Sequence, residues 1–323
     1  MPIDATQERL PAAVLLKGPT ASGKTKLAVE LVRQLPFDII SVDSAMVYRG
    51  MDIGTAKPSA ELRRIAPHRL IDILDPTEPY SAGRFRDDAM KEMAQIHALG
   101  RIPLLVGGTM LYFRALERGF SKLPQANSEV RVSLAADARQ YGWQFMHRRL
   151  GAVDPESAQR IHPNDPQRIQ RALEVYEITG RTLSELRRQG VPEAAPFRFV
   201  TLALMPADRE RLHQRIERRF QQMLQQGFLN EVRGLYERGD LRPEMTSMRA
   251  VGYRQAWQYL RGDIDENTWI RHAVVATRQT AKRQMTWLRA EPSIYELPAE
   301  SGTVLEEARK HLISCAVLDD LDL

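Results

Sequence analysis

Apolar residues recur with two different rhythms along the chain. Ala12-Ala13-Val14-Leu15-Leu16 is an unbroken apolar run that stops at Gly18, whereas Leu27, Ala28, Leu31, Val32 and Leu35 recur at helical spacing between Lys26 and Leu35. The pair predicts a buried strand, a tight loop and a helix. Ile39-Ile40-Ser41-Val42 predicts a second strand, Ile102-Pro103-Leu104-Leu105-Val106 a third and Phe199-Val200-Thr201-Leu202-Ala203-Leu204 another, while Ile71-Asp72-Ile73-Leu74-Asp75 alternates like an edge strand that runs into Pro76. Two breaks, at Leu123-Pro124-Gln125-Ala126-Asn127-Ser128 and at Gln189-Gly190-Val191-Pro192-Glu193-Ala194-Ala195-Pro196, enclose text that is only helical. Helices are predicted at Val130 to Arg139, Trp143 to Leu150, Pro155 to Arg160 and Gln167 to Thr179, the last stopped by Gly180. The expected fold class is therefore α/β with a mainly parallel sheet, interrupted by an all-helical insertion. The predicted boundaries are 1–123 and 191–323 for the core with its C-terminal helices, and 124–190 for the insertion.

Two further helices are predicted in the last third. From Asp208 to Gly227, Leu212, Ile216, Phe220, Met223 and Leu224 form one stripe, and Arg211, Arg215, Arg218 and Arg219 crowd another side. A second helix, with Thr268 as its expected cap, runs through Trp287. At about 100° per residue, Arg271, Arg278, Lys282 and Arg289 fall within roughly 20° of one line. Trp269, Ala273, Ala276, Thr280 and Trp287 take the opposite face.

Composition adds limits. The chain has 323 residues, 43% of them hydrophobic and 27% charged, which provides apolar surface for a core and excludes disorder and membrane residence. Cys315 is the single cysteine, so no intramolecular disulfide or cysteine-based zinc site can form, and a reducing cytoplasm is the expected compartment. The seven histidines lack metal-ligand spacing, so no transition metal is assigned. Met1 to Leu10 carries Asp4, Gln7, Glu8 and Arg9 without an apolar run, which predicts no secretory signal. Lys and Arg number 46 against 41 Asp and Glu, a net +5 that becomes informative only through its distribution. The arginines gather on the two helices above, at Arg168 and Arg171, and in Arg249-Ala250-Val251-Gly252-Tyr253-Arg254, where Gly252 permits close approach and Tyr253 is suited to pack on a sugar or base. Basic stripes backed by apolar faces suit a nucleic-acid backbone, although a solvated helix face is the plainer reading of any one arginine.

The chemistry is concentrated near the first strand. Gly18-Pro19-Thr20-Ala21-Ser22-Gly23-Lys24-Thr25 matches G-x-x-x-x-G-K-[ST] between a predicted strand and a predicted helix, the context that a phosphate-binding loop (P-loop) requires. A plain glycine turn is the alternative. In a P-loop the backbone N–H groups converge on phosphate oxygens, the helix adds the positive end of its dipole, Lys24 supplies a point charge and the Thr25 hydroxyl is placed for Mg²⁺. Phosphoryl-transfer enzymes usually add a carboxylate at the end of another buried strand. Here Ile102 to Val106 leads into Gly107-Gly108-Thr109, and only Asp72 and Asp75 offer a substitute, which weakens an NTPase or kinase reading. The second strand delivers Asp43-Ser44 at its carboxyl end, where open α/β sheets assemble ligands. Asp43 is either a catalytic group or a turn former and cap.

Taken together, Gly18 to Thr25, Ile40-Ser41-Val42-Asp43-Ser44, Tyr48-Arg49-Gly50-Met51-Asp52-Ile53-Gly54-Thr55-Ala56-Lys57-Pro58, Val106-Gly107-Gly108-Thr109, Asn164-Asp165-Pro166-Gln167-Arg168 with Arg171-Ala172-Leu173-Glu174, Val251-Gly252-Tyr253-Arg254 and Thr277-Arg278-Gln279-Thr280-Ala281-Lys282-Arg283-Gln284 resemble the bacterial tRNA dimethylallyltransferase (tRNA isopentenyltransferase) family over nearly the whole chain. The resemblance implies transfer of a dimethylallyl group from dimethylallyl diphosphate to N6 of the adenosine 3′-adjacent to the anticodon (position 37), in tRNAs that read codons beginning with U. It accounts for the missing carboxylate, because diphosphate is then a leaving group and no phosphoryl group moves. It implies that Asp43 orients the amine and accepts its proton, that Lys24 and Thr109 hold the diphosphate, that Mg²⁺ sits on Thr25, and that the adenine flips into a pocket between core and insertion. By the same resemblance the tRNA contacts are Asp43, Ser44, Ala45, Met46, Thr109, Arg131, Gln167, Arg168, Ile169, Gln170, Arg171, Arg249, Gly252, Tyr253, Arg254, Lys282, Arg283 and Arg289, in a cytoplasmic monomer. A free-nucleotide isopentenyltransferase, an ATP-dependent small-molecule kinase and a non-catalytic RNA binder are the competing readings. Activity on AMP, ATP consumption or indifference to Lys24→Ala would identify them in turn.

Overall fold

The computed structural model describes residues 10–119, 123–189 and 194–318. The predicted leaderless N-terminus falls at residues 1–9, and part of the second predicted break falls at 190–193, outside the described residues. Contacts divide the chain into two compact units, Met1–Glu117 with Ala195–Leu323, and Arg118–Ala194.

In chain order the first unit contains β1 (Ala12–Lys17), α1 (Lys24–Gln34), β2 (Phe37–Val42), α2 (Ala60–Ile65), β3 (His68–Arg69), α3 (Ala82–Ala98), β4 (Ile102–Gly107) and α4 (Met110–Arg118), whose last residue begins the second unit. The second unit contains α5 (Ser128–Tyr141), α6 (Trp143–Val153), α7 (Pro155–Arg160), α8 (Pro166–Thr179) and α9 (Leu183–Gln189). The first then resumes with β5 (Arg198–Met205), α10 (Arg209–Gln225), α11 (Phe228–Glu237), α12 (Tyr253–Leu260), α13 (Glu266–Arg289), β6 (Tyr295–Pro298) and α14 (Val304–Ser314). The sheet order is β3-β2-β4-β1-β5-β6 and every pairing is parallel.

The unbroken apolar run of β1 follows from this burial. Ala13 and Leu15 join the core on one face of the sheet, and Ala12, Val14 and Leu16 join the core on the other. A strand covered on both faces has no polar side to alternate with. Ile71 to Asp75, by contrast, is not a strand: pairing beside β2 is confined to His68–Arg69, with one isolated bridge between Tyr48 and Leu74. Its carboxylates are consumed by ion pairs, Asp72 with Lys57 and Arg63, and Asp75 with Arg238. The alternation reflects loop packing, since Leu74 is buried and Ile73 exposed.

The cap of α13 also differs from expectation. Asp265 accepts from the Thr268 amide at 2.8 Å, so the helix begins two residues before Thr268. Its buried face is Trp269, Ala273, Val274, Ala281, Met285 and Leu288, whereas Trp287 is exposed, with the Arg114 guanidinium over its ring.

In the second unit, Leu134, Met146, Leu150, Ile169, Leu173 and Leu183 make a separate core. Glu174 is fully buried there and accepts from Arg131, Arg171 and the Asn127 amide.

Candidate functional site

Three strand ends meet in register. Lys17 of β1 pairs with Gly107 of β4, which pairs with Val42 of β2, so the P-loop, Asp43 and Thr109 all emerge at the carboxyl ends of three adjacent parallel strands. Close approach is required: a Cβ on Gly107 would lie 2.0 Å from the Val42 carbonyl oxygen. The next turn returns to the same strand end, with the Thr109 amide donating to Val42 O at 3.3 Å and Thr109 Oγ1 accepting from the Ser44 amide at 3.2 Å.

The P-loop reaches α1 through Gly23, whose φ of 98° belongs to the left-handed region that glycine tolerates. No side chain caps α1, leaving its first amides available to an anion. Lys24 Nζ folds back to donate to Pro19 O at 2.6 Å and reaches Ser22 Oγ at 3.5 Å. Burial, reinforced by the Arg219 charge and opposed by Asp43, brings its pKa down to about 7. Arg219, from α10, is itself held below the ordinary guanidinium value by burial, with Asp43 opposing the shift. Two desolvated cations therefore share one carboxylate, and an added diphosphate would relieve their repulsion.

Asp43 takes the turn-forming role considered for it, and leaves one carboxylate oxygen over. Its Oδ1 accepts from the Ala45 and Met46 amides at 2.8 and 3.2 Å, forming the turn. Its Oδ2 accepts no hydrogen bond from the described residues. Ser44 is exposed, and Ala45 and Met46 are partly exposed beside it.

Arg219 was visible in sequence only as part of a stripe. It stands seven residues after Leu212, three after Ile216 and four before Met223, all buried, so it lies within the apolar face. A charge inside a buried stripe is the signal that would have singled it out. Gln284 carries a similar signal, between Ala281 and Leu288 on α13; it accepts from the Thr20 amide at 2.9 Å and donates to Gly108 O at 2.7 Å.

Several predicted RNA contacts prove internal. Tyr253 is fully buried and its hydroxyl donates to Glu231, whose carboxylate also accepts from the amides of Asp52, Ile53 and Gly54. Gly252, at φ 92°, leaves room for the Phe228 ring, which an added Cβ would approach to 3.1 Å. Ile169 belongs to the core of the second unit. Arg131 and Arg171 are turned onto Glu174, and Gln170 donates to Arg131 O. Tyr253, Gly252 and Ile169 are buried, whereas Arg131 stays exposed although its guanidinium is paired with Glu174. Besides Ser44 and Arg131, the exposed members are Gln167 and Arg168 on α8, Arg249 and Arg254 around the start of α12, and Lys282, Arg283 and Arg289 on α13. Arg278, predicted on the same line, is half-buried and paired with Glu217.

No helix among the described residues is long and apolar enough to cross a membrane. No group of three or more His, Cys, Asp or Glu forms a metal cluster among them.

A family model described as IPP transferase matches residues 46–291. This chain belongs to the IPP transferase family. Another member, the tRNA dimethylallyltransferase of Thioalkalivibrio sulfidiphilus, is 60% identical over 309 residues, covering 95% of this chain and 97% of that one. The crystal structure of the full-length tRNA isopentenylpyrophosphate transferase from Bacillus halodurans is 36% identical with a TM-score of 0.69, covering 96% of this chain and 97% of that chain. A eukaryotic dimethylallyltransferase acting on tRNA is 27% identical with a TM-score of 0.77, covering 97% of this chain and 81% of its own. The IPP transferase assignment and the α/β fold with its parallel sheet agree with the expectations drawn from sequence.

Proposed function

We propose that this protein is a tRNA dimethylallyltransferase that moves the dimethylallyl group from its diphosphate to the exocyclic N6 of the adenosine 3′-adjacent to the anticodon, in tRNAs reading codons that begin with U. The observation that carries the reading is the convergence of two desolvated cations, Lys24 and Arg219, with one carboxylate, Asp43, beside an uncapped helix N-terminus. That charge balance favours a diphosphate leaving group, and the turn after β4 supplies Thr109 where a kinase would need a carboxylate.

The N6 lone pair attacks C1 of the dimethylallyl group, the C1–O bond breaks, and its electron pair leaves with the diphosphate. Charge gathers on the diphosphate oxygens, where Lys24, Arg219 and the first amides of α1 stabilise it. The amine proton passes to Oδ2 of Asp43, while Oδ1 stays in the turn and holds the carboxylate in place. The Thr109 hydroxyl, oriented by the Ser44 amide, donates towards the departing oxygen.

Thr25 in the first turn of α1 has a hydroxyl without a hydrogen-bond partner among the described residues, and it is the donor that would hold Mg²⁺. That ion is satisfied by one or two protein oxygens, with phosphate and water completing its shell. When bound, it would add positive charge beside the leaving group.

An adenine within a stack is inaccessible to this chemistry, so the reading requires an extruded base. The exposed Gln167, Arg168, Arg249, Arg254, Lys282, Arg283 and Arg289 supply phosphate and base contacts. The helical insertion, drawn at 124–190 from sequence, contributes the first two, in a monomeric enzyme of the cytoplasm. Mass spectrometry of nucleosides from tRNA treated with the protein and dimethylallyl diphosphate tests the reading. N6-isopentenyladenosine is the expected product, and its absence would overturn the proposal.

A further inference from the structure

We propose that Gln284 is a positioning residue that sets the spacing between the diphosphate loop and the Thr109 turn; this inference rests on the transferase reading. Its side-chain amide spans the two segments, accepting from the Thr20 amide at 2.9 Å through Oε1 and donating to Gly108 O at 2.7 Å through Nε2. The chemistry demands one acceptor and one donor from a single planar group. Glutamate would meet the Gly108 carbonyl with a like partial charge, and lysine or arginine would have nothing to offer the Thr20 amide.

The backbone has been shaped to admit this amide. A Cβ on Gly108 would stand 2.4 Å from Gln284 Nε2, while its next neighbour, Gly18 O at 3.3 Å, would need to give by only a few tenths of an ångström. Gly108 therefore leaves space for the glutamine, and Thr109 follows it directly. On the other side, Thr20 lies four residues before Lys24 in the same loop. The Gln284 amide thus links the group proposed to hold the leaving oxygen with the loop proposed to hold the remaining phosphate oxygens. Transfer requires these two parts to stay within a few tenths of an ångström of one alignment, and a displacement of about 1 Å costs roughly a hundredfold in rate.

Gln284 is only half-buried and sits on the turn of α13 that also carries Lys282 and Arg283, both exposed. A mere RNA contact at this place would act on tRNA affinity. A positioning residue acts on the diphosphate substrate and on turnover.

The test uses the full chain and compares Gln284→Ala with wild type. Expected are a fall in kcat of about tenfold or more, a raised KM for dimethylallyl diphosphate and tRNA affinity within about twofold, in a variant that is still folded at the assay temperature with a Tm lowered by a few degrees at most. Gly108→Ala should reproduce the defect in the wild-type background but add little to Gln284→Ala, because the atom it strikes has been removed. Parameters within twofold of wild type, defects that multiply in the double variant, or weakened tRNA binding with normal diphosphate kinetics would each overturn the proposal. If Gln284→Ala does not fold, Gln284→Met preserves the length without either hydrogen bond and carries the same expectations. Calorimetry with inorganic diphosphate separates the two claims: wild type that binds diphosphate without forming prenyladenosine sinks the transferase reading. Binding about tenfold weaker in Gln284→Ala supports the clamp independently, and unchanged binding refutes it.

Discussion

Diphosphate binding should take up a proton. In the free protein Lys24 has a pKa of about 7 because its ammonium is desolvated and faces Arg219. A bound diphosphate stabilises the ammonium and raises that pKa, so binding is strongest below the free value. Affinity is then lost as pH rises from about 7 towards the pKa of the complex. At pH 8 about 0.9 of the Lys24 population is neutral before binding, and about 0.9 proton is taken up per diphosphate. Over that window affinity falls roughly tenfold per pH unit, or about 1.4 kcal/mol. Isothermal titration calorimetry with inorganic diphosphate, between pH 7.5 and 9.5 in buffers of different ionisation enthalpy, counts the protons directly. Lys24→Arg, which cannot deprotonate in this range, should bind without the uptake. Arg219→Gln removes the neighbouring charge and should move the uptake to higher pH while weakening binding. Because inorganic diphosphate itself titrates in this range, the difference between the two proteins is the readout, and uptake at pH 8 no greater in the wild type than in Lys24→Arg would refute the argument.

Other substitutions separate chemistry, RNA contact and packing. Asp43→Asn should reduce turnover by about a hundredfold or more in single-turnover assays while retaining tRNA binding, since the amide cannot accept the proton. Arg168→Ala, at a residue 71% exposed, should leave Tm unchanged and reduce the salt slope of tRNA binding by about one. Arg171→Ala should instead lower stability by about 3 kcal/mol in chemical denaturation, because it strips one partner from the fully buried Glu174. Tyr253→Phe should cost about 1–2 kcal/mol of stability through the lost bond to Glu231, with tRNA affinity measured by filter binding unchanged.

Strand-forming runs were legible because β1, β2, β4 and β5 are buried, and burial on both faces leaves a continuous apolar signature. β6, with Tyr295 exposed and only Leu297 of its four residues buried, lacks that signature and was not anticipated. The same limit explains Ile71 to Asp75, where alternation came from a loop fastened by Lys57, Arg63 and Arg238. Periodicity reports which side chains are buried and cannot distinguish a sheet edge from a well-anchored loop.

The P-loop, Asp43 and Thr109 could be read from the chain because each is local: a glycine-rich turn, or a polar residue placed just after a buried strand. Which arginines face outward could not be read in this way. Arg168 and Arg171 are a helical turn apart, yet one is exposed and the other is committed to Glu174. Tyr253 looked suited to a base until Glu231, 22 residues earlier in the chain, claimed its hydroxyl. Sequence alone determined the strand–loop–helix proposed to bind phosphate and the acid and hydroxyl that follow neighbouring strands. Only the tertiary structure brought Arg219 against Lys24 and Gln284 between Thr20 and Gly108, because partners separated by 195 and 264 residues are selected by packing and charge, which local spacing does not encode.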